Sequence, residues 1–216
     1  MLDKNGPARS RRKEAYTAGY FKALAQLIPQ LPYAAIDTIV EVLLEAFLEE
    51  RTVFVFGNGG SAASASHMMV DMNKGTAKAD TARRMKVIAL TDNVPLLTAW
   101  ANDVSYEHVF SEQLKNFLQE NNVAFAISAS GNSTNVLLAL RTARERGAST
   151  LGVTGHQGGK MKSLCDICAV VPSGNTQMIE DMHHAILHSI FTVVKERLRS
   201  RPMAMAAAGG DRRSNS

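Results

Sequence analysis

Five short apolar segments alternate with longer amphipathic segments along this chain. The apolar segments are four to six residues long and rich in β-branched and aromatic side chains, as expected of strands buried on both faces. Strands are predicted at Val53–Phe56, Lys86–Leu90, Val123–Ser128, Thr150–Thr154 and Ile167–Val171. Helical periodicity predicts helices at Ser61–Asn73, Pro95–Asn102, Glu107–Leu118, Ser133–Arg146 and Gln177–Leu198. The alternation predicts an α/β fold: a doubly wound five-stranded parallel sheet sandwiched by helices.

Two further helices are predicted before the first strand. One begins at about Glu14, and the other spans Ala34–Glu50 with an apolar stripe wide enough to bury on two sides. We expect this N-terminal helical arm to pack on the same domain or on a partner subunit. The predicted organisation is a single domain over residues 14–199, between a disordered basic segment 1–13 and a disordered tail 200–216.

The composition is ordinary for a soluble globular protein, with 45% hydrophobic and 20% charged residues in a chain of 216. The net charge of +4 is concentrated in the two terminal segments, so the body is slightly acidic and we expect no nucleic-acid binding. No apolar segment reaches membrane-spanning length, and the N-terminus has no apolar signal core. We therefore expect a cytoplasmic protein without a membrane anchor.

The two cysteines, Cys165 and Cys168, form a C-x-x-C motif. Such a motif occurs in redox pairs and in halves of zinc sites, and equally where two small apolar side chains lie on a strand that enters the core. The surrounding sequence LCDICAVVP and the lack of a second cysteine pair favour buried free thiols. Free thiols fit a reducing compartment.

A glycine-rich turn directly follows the first predicted strand. Residues 57–61 read GNGGS, and a helix of small residues begins at Ser61. Glycines let the backbone approach an anion closely and a helix N-terminus offers free N–H groups, so the turn suits a phosphate group. It is neither a GxGxxG dinucleotide fingerprint nor a P-loop. On its own, it is equally typical of a tight strand-to-helix turn.

A second polar turn follows the third predicted strand. The stretch SASGNST places Ser128, Ser130, Ser133 and Thr134 before or at the start of the next helix. One hydroxyl is enough to cap that helix, whereas several converging hydroxyls suit a phosphate monoester. Because ligands of doubly wound sheets bind beyond the carboxyl ends of the strands, both turns are predicted to open onto one site.

Titratable residues at helical spacing accompany the two turns. His67 and Asp71 lie at i and i+4 on one helix, and Glu180, His184 and His188 lie at i, i+4 and i+8 on the last helix. A lone pair of this kind is more often a surface pair. Beside two phosphate-type turns, the pairs indicate a divalent metal site or an acid/base couple. We expect one or two histidines of MHHAILH to be packing or surface residues.

Five segments, in order, carry a resemblance to a known family. They are GNGGSAASASH, TDN…TAWANDVSYEHVFSEQL, SASGNS, TGHQGGKM and IED-x-H-x-x-x-x-H. Over about residues 34–198, the chain resembles the SIS (sugar isomerase) fold and, within it, the phosphoheptose isomerase family. The resemblance implies a homotetramer that converts sedoheptulose 7-phosphate to D-glycero-D-manno-heptose 7-phosphate through an enediol, for nucleotide-activated heptose synthesis.

The resemblance also implies roles for individual residues. Substrate contacts are implied for Asn58, Gly59, Ser61, Asp92, Ser128, Ser130, Ser133 and Glu180. Asp71 and His188 fall at the catalytic acid/base positions. Zn²⁺, one ion per active site, is implied at His67, Asp71, Glu180 and His188. The sequence departs from the family pattern where Asp71 replaces the usual Glu, where Glu180 replaces the usual Gln, and where residues 73–75 replace Thr-Gly-Arg.

Two other functions are compatible with the same motifs. One is a non-catalytic SIS protein that binds a replication initiator or senses a sugar phosphate, with the basic N-terminus serving a macromolecular partner. In that case, replacing Asp71 or His188 by alanine leaves the biological role intact. The other is an isomerase of a related ketose phosphate, which a panel of substrates distinguishes.

Overall fold

A computed structural model describes residues 6–77 and 83–200, with side chains from residue 16 onward. Its centre is a five-stranded sheet with parallel neighbours in the order β2-β1-β3-β4-β5. The strands are β1 (Thr52–Gly57), β2 (Lys86–Ala89), β3 (Val123–Ser128), β4 (Ser149–Thr154) and β5 (Ile167–Val170). The predicted fold class is confirmed, and no strand end differs from its predicted position by more than one residue.

Helices cover both faces of the sheet. They are α1 (Gly6–Leu27), α2 (Tyr33–Leu48), α3 (Gly60–Gly75), α4 (Val94–Asp103), α5 (Ser111–Phe117), α6 (Thr134–Glu145) and α7 (Thr176–Ser200). The helix predicted from Glu107 begins only at Ser111, after a 3-10 turn at Tyr106–His108. The Ser111 hydroxyl donates to the His108 carbonyl oxygen at 3.2 Å, a local bond that competes with a continuous helix.

Side chains of the central strands alternate between two core layers. Val53 and Val55 of β1 belong to the layer formed with α2, α3 and α7. Phe54 and Phe56 belong to the opposite layer, formed with α5 and α6. Burial on both faces explains why the strands appear in the sequence as nearly continuous apolar runs.

The strand order places the two polar turns side by side. The chain leaves β1 toward β2 on one side and later returns to β3 on the other, so the carboxyl ends of β1 and β3 flank a crevice. Gly57 pairs with Ile127 in the sheet register, and the GNGGS and SASGNST turns follow these ends. The fold therefore brings both predicted phosphate-type turns to one place.

The N-terminal arm is partly attached to the domain. Helix α2 packs in the first core layer, and the Tyr20 hydroxyl of α1 donates to Asp181 of α7. Helix α1 begins at Gly6, earlier than the predicted start at about Glu14. Residues 1–5 and 201–216 lie outside the described part of the chain, and the predicted domain boundaries stay a prediction.

None of the described helices is both long and apolar enough to cross a bilayer. Cys165 and Cys168 are free thiols. Both are half-buried beside the second core layer.

Candidate active site

An open cavity of about 210 Å³ lies in the crevice between β1 and β3. It is lined by Asn58, Ser61, Ser128, Ala129, Ser130, Ser133, His156, Thr176 and Glu180. The structure thus brings together the polar residues of both turns and adds the start of α7. Gly59 does not line the cavity, but is the N-cap of α3 directly beside it.

Two glycines are required by the geometry of the first turn. Gly59 adopts φ 55°, a region that L side chains rarely occupy. A Cβ on Gly57 would lie 2.5 Å from the carbonyl oxygen of Ile127 and 2.7 Å from Cβ of Ser61. These glycines let α3 start directly against the end of β3, so that its first turn borders the cavity.

The amide of Asn58 is held by two residues that sequence analysis missed. Asn135 donates from Nδ2 to Asn58 Oδ1 at 2.9 Å and accepts from Asn58 Nδ2 at 2.8 Å. The Tyr106 hydroxyl donates to the same Asn58 oxygen at 3.0 Å. Asn135 is buried in the first turn of α6. Its only signal in the sequence is an asparagine next to the second polar turn.

His156 and Thr176 are cavity residues that were not predicted individually. His156 has φ 53° and lies in the loop after β4, and Thr176 begins α7. His156 belongs to the TGHQGGKM segment that carried the family resemblance, so that segment was the available signal. Residue type alone does not distinguish either from an ordinary loop residue.

A second group of titratable side chains lies between α3 and α7. Asp71 Oδ2 is 3.6 Å from His67 Nε2 and 3.7 Å from His188 Nε2. The two histidine Nε2 atoms are 3.3 Å apart. One donor atom from each of the three residues lies within 4.8 Å of the others, a spacing compatible with one metal ion. Both histidine side chains are about half exposed, so a small molecule can reach the group.

The sequence is similar to that of named proteins over most of its length. The profile of the SIS domain family matches residues 16–155. Phosphoheptose isomerase from Aliarcobacter butzleri is 40% identical over 159 residues, which cover 73% of this chain and 82% of that protein. Phosphoheptose isomerase from Pelobacter propionicus is 39% identical over 178 residues, which cover 82% of this chain and 93% of that protein. The chain belongs to the phosphoheptose isomerase family.

Solved structures that carry the phosphoheptose isomerase name have the same fold. Phosphoheptose isomerase GmhA from Neisseria gonorrhoeae is 28% identical in sequence to this chain, and its structure superposes with a TM-score of 0.77. The superposition covers 87% of this chain and 98% of that protein. A phosphoheptose isomerase from Francisella tularensis, at 24% identity and a TM-score of 0.76, shares the fold.

Glu180, predicted as a substrate contact and as a fourth metal ligand, is not among the three residues whose donor atoms lie within 4.8 Å of one another. Both roles stay predictions. Glu180 Oε1 lies 3.4 Å from the position of a Cβ on Gly60, at the N-terminus of α3, and Glu180 lines the cavity. Eight residues, about 12 Å along the helix axis, separate Glu180 from His188. The positive end of the α3 dipole favours a carboxylate at this position.

The substrate contact predicted for Asp92 stays a prediction. Asp92 does not line the cavity. Its Oδ1 accepts hydrogen bonds from the Ser66 hydroxyl and, at 3.2 Å, from the Thr91 hydroxyl. The reason is topological, because Asp92 follows β2, which lies on the side of β1 away from β3.

The adjacent histidines of α7 have different surroundings. His183 is 1% exposed, and burial lowers its pKa to about 4 by penalising the imidazolium. It is a neutral packing residue, as expected for part of the histidine-rich segment. His184 is half-buried, and its Nδ1 lies 3.0 Å from Ser64 Oγ. Its ring centroid is 5.6 Å from that of His67.

Proposed function

We propose that this protein is a phosphoheptose isomerase that converts sedoheptulose 7-phosphate to D-glycero-D-manno-heptose 7-phosphate, for nucleotide-activated heptose synthesis. One observation carries the proposal. A serine-lined cavity lies at the start of α3 and α7, and Asp71, His67 and His188 form a compact group further along the same two helices. The names of the relatives support the same reaction.

The cavity is suited to the phosphate group because its serine hydroxyls have protons to donate. Ser128 Oγ accepts the N–H of Gly131, and Ser130 Oγ accepts the N–H of Asn132, each at 3.2 Å. Each hydroxyl proton remains available for a phosphate oxygen. The N-termini of α3 and α6 add the positive ends of their helix dipoles. The Glu180 carboxylate accepts from the sugar hydroxyls.

The distance between the serine-lined cavity and the group of His67, Asp71 and His188 matches the distance between the two ends of the substrate. Ser61 lines the cavity, and His67 lies six residues later, about 9 Å along the axis of α3. The phosphate and the carbonyl carbon are at opposite ends of a heptulose 7-phosphate. A phosphate bound in the cavity therefore directs C1 and C2 toward Asp71 and His188.

The reaction moves one proton between C1 and C2. Asp71 removes the C1 proton of the ketose, which forms a 1,2-enediol, and returns a proton to C2, which leaves the aldehyde at C1. His188 transfers the hydroxyl proton from the oxygen on C1 to the oxygen on C2. The C1 hydroxyl of the ketose thereby becomes the carbonyl of the aldose, and the C2 carbonyl becomes a hydroxyl. The half-exposed His188 and the partly buried Asp71, 3.7 Å apart, are close enough to act on one substrate.

The donor set fits a zinc ion. Two histidine nitrogens 3.3 Å apart, with a carboxylate oxygen 3.6 and 3.7 Å from them, approach the spacing of ligands around one tetrahedral ion. When bound, Zn²⁺ would polarise the two substrate oxygens and stabilise the enediolate. His67 serves as a ligand only, whereas Asp71 and His188 also act on the substrate.

The quaternary structure and compartment form part of the proposal. Large apolar side chains are exposed on α1, α4 and the turn after α4: Tyr16, Phe21, Val94, Val104 and Tyr106. Exposed apolar groups of this size favour association, in this case a homotetramer. The free thiols Cys165 and Cys168 are compatible with a reducing cytoplasm.

A substrate panel tests the proposed activity. The purified chain is incubated with C5, C6 and C7 ketose phosphates, with and without added zinc, and the aldose is detected by coupled oxidation or chromatography. We expect turnover of sedoheptulose 7-phosphate above that of the shorter sugars. Turnover of a shorter ketose phosphate alone would assign a different substrate. Binding of all of them without turnover would indicate a non-catalytic sugar-phosphate sensor.

A further inference from the structure

The C-x-x-C motif carries reactive side chains that the proposed isomerase site does not use. Cys165 precedes β5 and Cys168 lies in it, at the edge of the sheet. Neither residue lines the cavity between β1 and β3. We propose that the two cysteines are a reversible redox site, which forms a disulfide by exchange with a low-molecular-weight disulfide and thereby alters the polar SASGNST turn at the cavity.

The fold places the two thiols side by side. Cys168 pairs with Gly152 of β4 in the sheet register, and its side chain packs on the second core layer. Side chains of paired residues lie on the same face of a sheet, so Cys168 is next to the position of a Cβ on Gly152. That Cβ would lie 2.9 Å from Cys165 Sγ and would overlap Met161. The missing side chain of Gly152 therefore leaves the space in which the Cys165 thiol lies, beside Cys168.

Asp166, between the two cysteines, fixes the bend that brings them together. Its backbone N–H donates to the Thr150 carbonyl oxygen at 2.9 Å. Its Oδ2 accepts from the Thr150 N–H at 2.8 Å and from the Thr150 hydroxyl at 2.9 Å. These bonds attach the bend to β4. Because the bend is already ordered in the folded chain, closing the short disulfide ring costs little further backbone entropy.

The two thiols differ in reactivity. A hydrogen bond from Cys165 lowers the pKa of Cys168, and the nearby ammonium of Lys162 lowers it further, against the opposing effect of burial. The same hydrogen bond, together with burial, raises the pKa of Cys165. Both cysteines are half-buried at the edge of the sheet, so a small molecule can reach them. Cys168 therefore supplies the attacking thiolate, and Cys165 reacts second.

The reaction is a thiol–disulfide exchange in two stages. The Cys168 thiolate attacks one sulfur of the small disulfide, which forms a mixed disulfide and releases one small thiolate. Cys165 then gives up its proton and attacks Cys168 Sγ, which forms the bond between the two cysteines and releases the second small thiolate. The two cysteine protons end on the two released thiolates. The protein loses two electrons, and the small disulfide gains them.

A 3-10 turn after β4 connects the thiols to the polar turn of the cavity. The carbonyl oxygen of Met161 accepts the Cys165 N–H at 3.1 Å, and the Met161 N–H donates to the carbonyl oxygen of Gly131 at 2.9 Å. The N–H of Lys160 donates to Asn132 Oδ1 at 3.1 Å. A covalent bond draws Cys165 closer to its partner than a hydrogen bond between thiols does. The disulfide therefore loosens the bonds from the 3-10 turn to Gly131 and Asn132.

Thiol alkylation and mass spectrometry of the folded full chain test the redox site. The reduced protein is equilibrated with mixtures of oxidised and reduced glutathione, and the remaining thiols are alkylated. We expect the wild-type chain to lose both labels together with the mass of two hydrogen atoms, and to regain the labels in excess reduced glutathione. Cys165→Ser should stop at the mixed disulfide. Cys168→Ser should react more than about tenfold more slowly than Cys165→Ser, because its remaining thiol has the higher pKa.

Hydrogen exchange measures the effect of the disulfide on the cavity. In the oxidised protein, peptides that cover residues 128–134 and 158–165 should exchange more than about threefold faster than in the reduced protein. The glycine-rich turn at residues 57–61 is the internal control and should not change. The matched control variant is the double substitution Cys165→Ser and Cys168→Ser, in which the same glutathione mixture should change neither peptide.

Two alkylated thiols in the wild-type chain after equilibration with excess oxidised glutathione would overturn the redox site. A disulfide that forms only in urea, or only between chains, would do the same. Equal rates in the two single variants would overturn the assignment of Cys168 as the attacking residue, and unchanged exchange at residues 128–134 would overturn the effect on the cavity. Circular dichroism checks the fold of each variant. Because no reading uses turnover, the proposed isomerase reaction stands or fails separately.

Discussion

At the scale of single residues, hydrogen bonds within the site orient its polar side chains and leave serine hydroxyl protons free for a ligand. Backbone N–H groups occupy the oxygens of Ser128 and Ser130, which directs their protons toward a ligand. Asn135 and Tyr106 orient the amide of Asn58. The same residue type has different roles on α7, where His183 is buried and His188 is half exposed.

Asp71 is expected to be the residue whose chemistry matters most. Asp71→Asn keeps the shape but removes the base, so we expect kcat for heptulose isomerisation to fall by about 10²–10⁴-fold. Steady-state kinetics with metal-saturated enzyme measures this. Asp37→Asn, at an exposed position of α2, is the matched control and should have wild-type kinetics. A kcat for Asp71→Asn within a few-fold of wild type would exclude Asp71 as the base.

The lowered pKa of buried His183 predicts how the free energy of unfolding depends on pH. Its pKa is about 4 in the folded chain against an ordinary value of 6.5, so only the unfolded state gains its proton between these values. The free energy of unfolding should therefore fall as pH decreases from about 6.5 to about 4, by roughly 3 kcal/mol from this group. Urea unfolding between pH 7 and pH 5 measures the slope. In His183→Leu the slope should be smaller, and parallel curves for the two proteins would contradict the prediction.

At the scale of elements, the strand-to-helix turns set the geometry of the site. The turn after β1 lets α3 start against β3, and α7 lies beside α3 with its first residues at the same cavity. The two helices then carry the cavity residues at their starts and the group of His67, Asp71 and His188 one to three turns later. In the proposed reaction, helix length therefore sets the distance between the phosphate and the reacting carbons.

Close packing of the first turn makes Gly57 sensitive to substitution. In Gly57→Ala the added Cβ would meet the backbone oxygen of Ile127 at 2.5 Å, so a strand or helix must shift. We expect a loss of about 1–3 kcal/mol in the free energy of unfolding, as in overpacked cores. Gly174→Ala is the control, because nothing lies within 4 Å of its Cβ position. Equal denaturation midpoints for the two variants would contradict this account of the turn.

Sequence reasoning predicted the elements well and the relations between them less well. Strands buried on both faces leave apolar runs bounded by polar turns, so β1–β5 could be located to within one residue. The paired Asn58 and Asn135 are 77 positions apart, and no local pattern connects them. Glu180 and His188 share a helix side, but their spacing in the sequence does not show that Glu180 lines the cavity whereas His188 lies beside Asp71.

At the scale of the whole molecule, the described chain leaves apolar surface uncovered. Tyr16 and Phe21 on α1 are 72% and 68% exposed, whereas the apolar face of α2 packs in the first core layer. Exposed aromatic side chains on α1 are expected if this helix packs on another subunit. The proposed homotetramer therefore depends on this helix.

Assembly provides a prediction at this scale. The chain has a mass of 23.4 kDa, and light scattering after size exclusion should give about four times this value. Phe21→Ser removes a large exposed apolar group from α1 and should shift the mass toward smaller species at low concentration. Lys22→Ser, its exposed neighbour, should not. A monomer in the wild-type protein, or equal masses for both variants and wild type, would contradict the role of α1.

The most direct test of the central claim follows sedoheptulose 7-phosphate in deuterium oxide by NMR with metal-saturated protein. Proton transfer through an enediol with a solvent-exchanging base predicts appearance of the C7 aldose phosphate with deuterium at C2 and, on reversal, at C1 of the ketose. Asp71→Asn should show neither within the same time. A folded wild-type protein that yields no aldose and exchanges no C1 hydrogen, with or without zinc, would contradict the account.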